Sequence, residues 1–403
     1  MSISFSSRDS AGALNRVNRS IRSSKSTFGQ KVNIGVLIAT LALVAYGAVI
    51  IWAASKTIAD ASFPRHLLGI GLGVVIAALI WHTDLRGIAD YSTVLLVIDL
   101  AVIFLPKVPG LSWTGGLGMT GWIKIPLVGF TFQPVELAKP ITIFLMASLG
   151  AQYHGKIDSV REYVKLCALL AVPFGAVVIM GDLGSGLVVF VSGAIIICMS
   201  GARKEWVLAT LALLVGFVSV VLALDSILDS LLGKDVLIHQ YQINRLLVFI
   251  DPDNAPSDSA YNLKQSLVAV GSGGFFGKGL GKATISLGGF LPESHTDFVF
   301  AMLSETFGFV GAAFLLALYA LLIFSTIRVS IRSDSLFFKL CAVGIVGMWA
   351  FQIFENIGMC ISVMPITGIP LPFISFGSSS MMMQMAAVGI VQSLWAHRSS
   401  PIK

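Results

Sequence analysis

Residues 33–54 read NIGVLIATLALVAYGAVIIWAA, an apolar stretch without a single charged side chain. About 20 such residues in a helix cross the roughly 30 Å hydrocarbon core of a bilayer. The stretch is too long for the apolar part of a cleavable signal sequence, and no small-residue cleavage site closes it. It therefore predicts a transmembrane helix that is retained in the protein.

Apolar runs of similar length recur along the rest of the chain. Its 403 residues are 56% hydrophobic and 12% charged, whereas soluble domains carry about 25% charged residues. The composition predicts an all-α integral membrane protein, a polytopic bundle of about ten transmembrane helices. The expected spans lie near 33–54, 66–82, 90–106, 135–152, 164–180, 185–200, 205–224, 298–327, 336–364 and 378–396.

The charge pattern predicts how the chain crosses the membrane. Basic residues crowd the tail at 1–31 and the short connections expected on the same side of the bilayer. By the positive-inside rule, both termini are then cytoplasmic. The transmembrane domain would cover 32–396, with a large extracellular loop at 225–297 between the seventh and eighth spans and a cytoplasmic tail at 397–403. The basic tail has a single aromatic residue, Phe28, among its basic residues, so we interpret it as an orientation signal and expect no nucleic acid partner.

The four cysteines suggest no redox or metal chemistry. Cys167, Cys198, Cys341 and Cys360 all lie within apolar runs and show no CxxC spacing. Because a buried cysteine behaves as a small hydrophobic residue, we assign them neither a disulfide nor a metal.

Two polar motifs sit at expected helix starts. Glu136 and Lys139 are three residues apart in QPVELAKP, which lets them pair on one helix face. Ionisable residues in a span are costly and often functional, although a structural ion pair between helices explains them equally well. Asp182, in the turn GDLGS, is either a helix cap or a carboxylate facing a cavity.

A glycine run at 271–281 lies within the large loop. Its backbone amides can form anion-binding nests, with Lys278 and Lys282 as counter-charges. The run lacks the GK[ST] ending of a P-loop. A re-entrant turn that needs glycine for positive φ is the alternative.

The segment LPESHTDFVF at 291–300 places Glu293, His295 and Asp297 just before an expected helix. Asp297 is a candidate helix N-cap. A carboxylate at the lip of an apolar cavity is also a candidate general base. Glu-x-His-x-Asp spacing suits a metal, but no further ligands are evident and we assign no metal-binding residue.

Taken together, these segments resemble the SEDS family, which includes RodA, FtsW and SpoVE. The resemblance runs in family order from about residue 120 to 380 and rests on an ordered set of short motifs. They are Trp122-Ile123, Gln133-Pro134-x-Glu136-x-x-Lys139, Asp182-Leu183-Gly184, Arg245 with Asp251-Pro252, Gln265-Ser266 to Gly281, Pro292 to Phe298, Glu305-x-x-Gly308, and Thr367 to Gly377. Gly121 and Val135 stand where the family usually has Arg and Ser, and Lys124 is a candidate replacement for the lost charge.

The resemblance implies a peptidoglycan glycosyltransferase of the bacterial cytoplasmic membrane that polymerises lipid II. Its expected partners are lipid II, the nascent glycan strand, membrane lipid and a class B penicillin-binding protein. Asp297 matches the family's proposed catalytic aspartate, whereas Glu136, Lys139, Asp182 and Arg245 match polar positions of the central cavity. The full candidate substrate-binding set is Trp122, Lys124, Glu136, Lys139, Asp182, Arg245, Lys264, Lys278, Glu293, His295 and Ser375.

The residues and the resemblance leave three points open. The resemblance requires no cofactor but allows a divalent cation, Mg²⁺ or Mn²⁺, to assist the leaving group. Intramembrane charges suit a lipid II flippase as well as a polymerase, and a non-catalytic scaffold for the cross-linking partner is a further alternative. Service in elongation, division or sporulation is also undecided.

Overall fold

The computed structural model describes residues 31–108, 110, 112–113, 121–125, 130–216, 248–249 and 257–398. The first helices are α1 (Ile34–Ala54), α2 (Phe63–Trp81), α3 (Ser92–Phe104), α4 (Pro134–Ala151), α5 (Val160–Ile179), α6 (Leu183–Met199) and α7 (204–216). After the large loop's helix α8 (Ser257–Ser272) come α9 (Val299–Arg332), α10 (Leu336–Cys360) and α11 (Ser378–Ala396). Short 3-10 helices occupy Arg86–Asp90 and Leu105–Lys107.

The predicted polytopic bundle is confirmed. Among the described residues, six helices are long and apolar enough to cross a membrane, namely α1, α2, α4, α5, α9 and α10. Helix α6 is apolar but shorter, with 17 residues. Helices α3, α7 and α11 fall at the three remaining predicted positions, and the predicted seventh span at 205–224 extends beyond the described part of the chain.

The all-α prediction missed a small sheet in the connection between α3 and α4. Strands β1 (Ser112–Trp113), β2 (Trp122–Ile125) and β3 (Phe130–Phe132) form an antiparallel sheet in that order. Trp122 pairs with Trp113, and Ile123 pairs with Phe132. Aromatic and β-branched residues make up most of β2 and all of β3, and such residues favour a pleated surface.

Helix α9 is broken at Gly308, where φ is 67° and ψ is −162°. The chain after α8 lies along this break, so that Phe309 N donates to Gly274 O at 2.9 Å and Lys278 N donates to Glu305 O at 2.9 Å. A Cβ at Gly308 would lie 2.3 Å from Gly277 N. Glycine is therefore required both for the positive φ and for the close backbone approach, which supplies hydrogen bonds that the interrupted helix lacks.

Small residues let the helices that carry the site pack closely. In α11, a Cβ at Gly389 would lie 2.6 Å from Ala77 O of α2. In α10, a Cβ at Gly344 would lie 2.6 Å from Ile196 of α6 and 2.8 Å from Ile143 of α4. Close approach of this kind is typical of helix packing in membranes. It places the carboxyl end of α10 beside the starts of α4, α6, α9 and α11.

Candidate functional site

Asp297 lies in a tight turn that leads into α9. The amides of Asp297 and Phe298 both donate to Glu293 O, at 3.0 and 3.1 Å, and Glu293 has a φ of 50°. The N-cap of α9 is Phe298, and no side-chain hydrogen bond caps the helix there. The alternative in which Asp297 is the N-cap is therefore wrong. Its side chain is half-buried, so it remains accessible from outside the bundle.

The carboxylate of Asp297 faces the segment that follows α10. A Cβ at Gly368 would lie 2.9 Å from Asp297 Oδ2, and Gly368 has a φ of 77°. Asn356 Nδ2 donates to Asp297 O at 2.7 Å and to Ile369 O at 2.8 Å. The aspartate and the turn that it faces are thus held by the same amide.

Further hydrogen bonds join the turn before α9 to the segment at 365–377. Ser375 Oγ donates to Thr296 O at 2.6 Å and accepts from Leu371 N at 2.8 Å. Phe376 N donates to His295 O at 2.9 Å. The structure therefore brings together two of the motifs that carried the family resemblance. The buried Ser375 uses its one hydroxyl hydrogen on protein backbone, and its substrate-binding role stays a prediction.

His295 is a packing residue of this turn. Its ring lies 5.5 Å from that of Phe376, and His66 of α2 also stacks with Phe376 at 6.1 Å. Burial lowers the pKa of His295, and the nearby carboxylates of Glu293 and Asp60 only partly oppose this effect. The imidazole is consequently neutral at neutral pH. The sequence predicted neither His66 nor Phe376 as part of the site, because His66 belongs to no polar motif and Phe376 is an unspecified position of the motif from Thr367 to Gly377.

Asp182 caps a helix, which is one of the two roles that the sequence left open, and its role as a carboxylate facing a cavity stays a prediction. Its Oδ1 accepts from Ser185 N at 2.8 Å, which confirms the helix cap of α6, and Gln133 Nε2 donates to its Oδ2 at 3.1 Å. A Cβ at Gly184 would lie 3.2 Å from Thr367 O. The start of α6 therefore borders the same segment that Asp297 faces.

Glu136 and Lys139 form the predicted ion pair within α4. Lys139 Nζ lies 2.6 Å from Glu136 Oε1, and the two side chains are 1% and 2% exposed. On the same helix Thr142 donates to Asp99 Oδ2 of α3 at 2.6 Å. The pairing on one helix face is confirmed, whereas an ion pair that fixes two helices and a role of either residue in substrate binding stay predictions.

The glycine run serves close packing. Gly274, Gly277, Gly279 and Gly281 all have positive φ, as the re-entrant alternative requires. Glu305 of α9 organises the chain that follows the run, and its carboxylate accepts hydrogen bonds from Lys278 Nζ, Thr284 Oγ1, Ile285 N, Ser286 N and Ser286 Oγ. Lys278 is thus paired with Glu305 at 2.7 Å, and its proposed contact with substrate is untested.

The remaining candidates lie in several places. Trp122 is half-buried in β2, Glu293 is exposed in the turn before α9, and Lys264 is exposed on α8. Lys124 belongs to β2 by its backbone, but its side chain lies outside the described residues, as does all of Arg245. Val135, one of the two departures from the family pattern, packs in an apolar cluster with Ile103 of α3.

Within the described ranges, no three His, Cys, Asp or Glu side chains gather closely enough to hold a metal ion. All four cysteines are free thiols, and Cys341 and Cys360 are buried. The described side chains therefore present an accessible carboxylate, surrounded by hydrogen-bonded turns, at one end of the bundle. Fold and site together define a multi-pass membrane protein whose reactive candidate is Asp297.

Comparison with known proteins identifies the family. The family FTSW_RODA_SPOVE, described as cell cycle protein, matches residues 34–400. Stage V sporulation protein E of Bacillus subtilis is 33% identical over 365 residues, covering 88% of this chain and 94% of that protein. Peptidoglycan glycosyltransferase MrdB of Escherichia coli K12 is 32% identical over 377 residues, covering 93% and 96%.

Solved structures agree with the sequence comparisons. A chain from the study "Structural coordination of polymerization and crosslinking by a peptidoglycan synthase complex" matches with a TM-score of 0.72 and 27% identity, covering 92% of this chain and 99% of that one. The rod shape determining protein RodA of Thermus thermophilus matches with a TM-score of 0.64 and 25% identity, covering 91% and 97%. The chain belongs to the FtsW/RodA/SpoVE family.

Proposed function

We propose that this chain is a peptidoglycan glycosyltransferase that transfers a growing lipid-linked glycan chain onto lipid II with inversion. The observation that carries the proposal is the half-buried carboxylate of Asp297, set against Gly368 at the end of the bundle where α4, α6, α9 and α11 begin. Family membership supports it, since the relative MrdB is named a peptidoglycan glycosyltransferase.

Asp297 is the general base of this reaction. Its carboxylate takes the proton from the 4-hydroxyl of the GlcNAc unit of incoming lipid II. The resulting oxygen attacks the anomeric carbon of the lipid-linked MurNAc at the end of the growing chain. A new C–O bond forms as the bond to the pyrophosphate breaks, and undecaprenyl pyrophosphate leaves with the bonding electrons. A single displacement of this kind inverts the anomeric carbon, which converts an α-linked donor into a β-1,4 bond.

The leaving pyrophosphate needs positive charge. The candidates for this task are Lys124, Arg245, Lys264, Lys278 and Lys282, and Lys278 also forms an ion pair with Glu305. Mg²⁺ or Mn²⁺ is a further candidate, although the described residues offer no three-ligand cluster for it, and no step is assigned to it. Loss of polymerisation on chelation, with recovery on adding back either cation, would support the cation.

The polyprenyl tails are expected to lie between helices at the membrane face. An apolar groove of about 360 Å³ runs between α1 and α9 and is lined by Tyr46, Phe276, Phe307, Val310, Gly311 and Phe314. A second groove of about 250 Å³ lies farther along α1 beside Trp52 and Leu280. These apolar grooves support the proposal that the substrate is bound while its lipid tail stays in the membrane.

The protein is expected to work beside a class B penicillin-binding protein that cross-links the new strand. The similar chain from the study of a peptidoglycan synthase complex supports such an assembly. In this arrangement both termini are cytoplasmic, and the end of the bundle that carries Asp297 faces outward, where the strand is built.

The test is glycan polymerisation by the purified protein on labelled lipid II, alone and with its penicillin-binding protein, beside Asp297→Asn. A ladder of products that the variant fails to make supports both the polymerase and the base. Translocation of lipid II without any product would favour the flippase. Product that appears only with the partner and persists in the variant would favour the scaffold.

A further inference from the structure

Glu355 is a buried carboxylate that no motif singled out. It lies in the last turns of α10, its side chain has no exposed surface, and Thr367 Oγ1 donates a hydrogen bond to Glu355 Oε1. An acidic side chain within a membrane bundle is costly and usually has a function. Its contact with Thr367 places that function one residue from Gly368.

Two consecutive residues of α10 form hydrogen bonds with the two residues that flank Gly368. Glu355 accepts from the side chain of Thr367, and Asn356 Nδ2 donates to Ile369 O at 2.8 Å. The same Asn356 amide donates to Asp297 O at 2.7 Å. One turn of helix therefore fixes both the backbone of the aspartate and the turn that its carboxylate faces.

The other side of this turn is closed by α6. A Cβ at Gly184 would lie 3.0 Å from Ile369 Cγ1 and 3.2 Å from Thr367 O. Residues 367–369 are thus packed between the start of α6 and the end of α10. A Cβ built at Gly368 would lie only 2.9 Å from Asp297 Oδ2, so the carboxylate lies close to the backbone of this turn. A small shift of the turn therefore changes the position of the carboxylate.

We propose that Glu355 is a positioning residue for Asp297, acting through the hydroxyl of Thr367 and the turn at Gly368. The inference rests on the proposed function, in which Asp297 is the base. Positioning matters because a misplacement of about 1 Å costs on the order of 100-fold in rate.

The test compares isosteric and conservative variants of the purified full-length protein on labelled lipid II. Thr367→Val removes the hydroxyl and keeps the shape, and Glu355→Met removes the acceptor and keeps the length. Each is expected to lower kcat about 10- to 100-fold while the apparent KM for lipid II stays unchanged. Thr367→Ser and Glu355→Gln retain a donor and an acceptor, so both are expected to remain near the wild-type rate.

The double variant Thr367→Val with Glu355→Met is expected to lose less activity than the two single losses combined, because each single change already breaks the hydrogen bond between these residues. Wild-type kcat in Thr367→Val, additive losses in the double variant, or a change confined to KM would each overturn the proposal. If Glu355→Met fails to fold, the Thr367→Val and Thr367→Ser pair decides alone.

Asp297→Asn is measured in parallel to separate the two claims. An inactive Asp297→Asn beside a fully active Thr367→Val overturns the positioning role and leaves the proposed base standing. An active Asp297→Asn instead overturns the base, and the positioning role with it.

Discussion

Asp297 and Glu305 are carboxylates at the start of the same helix, α9, in opposite surroundings. Glu305 has no exposed surface, and its oxygens accept from a lysine, two hydroxyls and two backbone amides. Asp297 is half-buried, and its Oδ2 lies against the glycine backbone at residue 368. One carboxylate is enclosed by donors from its own chain, and the other stays accessible at the end of the bundle.

This difference indicates a structural role for the carboxylate of Glu305 and a chemical role for that of Asp297. A carboxylate with no exposed surface, such as that of Glu305, is out of reach of a substrate hydroxyl. A partly exposed carboxylate beside a glycine has room for a substrate hydroxyl. The comparison therefore predicts that Asp297 variants lose activity with little loss of stability, whereas Glu305 variants lose stability first.

The largest expected effect is that of Asp297→Asn on the rate. Asparagine keeps the size of the side chain and removes the base, so polymerisation is expected to fall about 10²- to 10⁴-fold. The midpoint of thermal unfolding in detergent should stay at the wild-type value. Product formation on labelled lipid II and differential scanning fluorimetry measure the two quantities. A variant that is fully active, or inactive only because it is unfolded, would break the comparison.

Glu305→Gln is expected to act on stability. Its new NH₂ group would face donors such as Ser286 N and leave Lys278 without its ionic partner, at a cost of about 3 kcal/mol. The measurement is the unfolding midpoint in detergent, with Glu205→Gln as the control because Glu205 is exposed on α7. Equal midpoints for the two variants would show that the donors around Glu305 contribute little.

Gly368→Ala sharpens the comparison at the Asp297 side. The added methyl would lie 2.9 Å from Asp297 Oδ2, so the carboxylate must move, and kcat is expected to fall on the order of 10-fold or more. Gly155→Ala is the matched control. Gly155 also has positive φ, at 83°, but a Cβ there meets nothing within 4 Å, and it follows the opposite end of α4. Similar losses in both variants would assign the effect to backbone strain alone.

Most helices of the bundle could be predicted from the sequence, because each membrane span is a long contiguous run of apolar residues. The sequence also indicated Asp297, Asp182 and the Glu136–Lys139 pair as candidates, because these polar residues interrupt or border the apolar runs. The sheet at β1–β3 was missed because its strands are very short, with two to four residues each.

The rest of the site depends on contacts between residues that are distant in sequence. Glu355 and Asn356 lie inside an apolar helix, and only the fold shows that they reach Thr367, Ile369 and Asp297. His66 is likewise linked to the site only by its stacking on Phe376, which the sequence does not show. The ion pair between Lys278 and Glu305 also joins residues that are 27 positions apart in the sequence. Local pattern cannot distinguish these outcomes because the partner residue is set by packing.

The smallest expected effect concerns His295, the buried neighbour of Asp297. Burial holds its pKa below the ordinary value of 6.5, so the unfolded chain binds a proton more readily than the folded protein does. The stability that the neutral imidazole contributes is therefore fully present above pH 6.5 and is lost as the pH falls through the lower folded-state pKa. His295→Phe keeps a ring against Phe376 and removes the titration, so its unfolding midpoint should fall less than that of the wild type below pH 6.5. Parallel plots of unfolding midpoint against pH for His295→Phe and the wild-type protein would contradict the role of the buried imidazole.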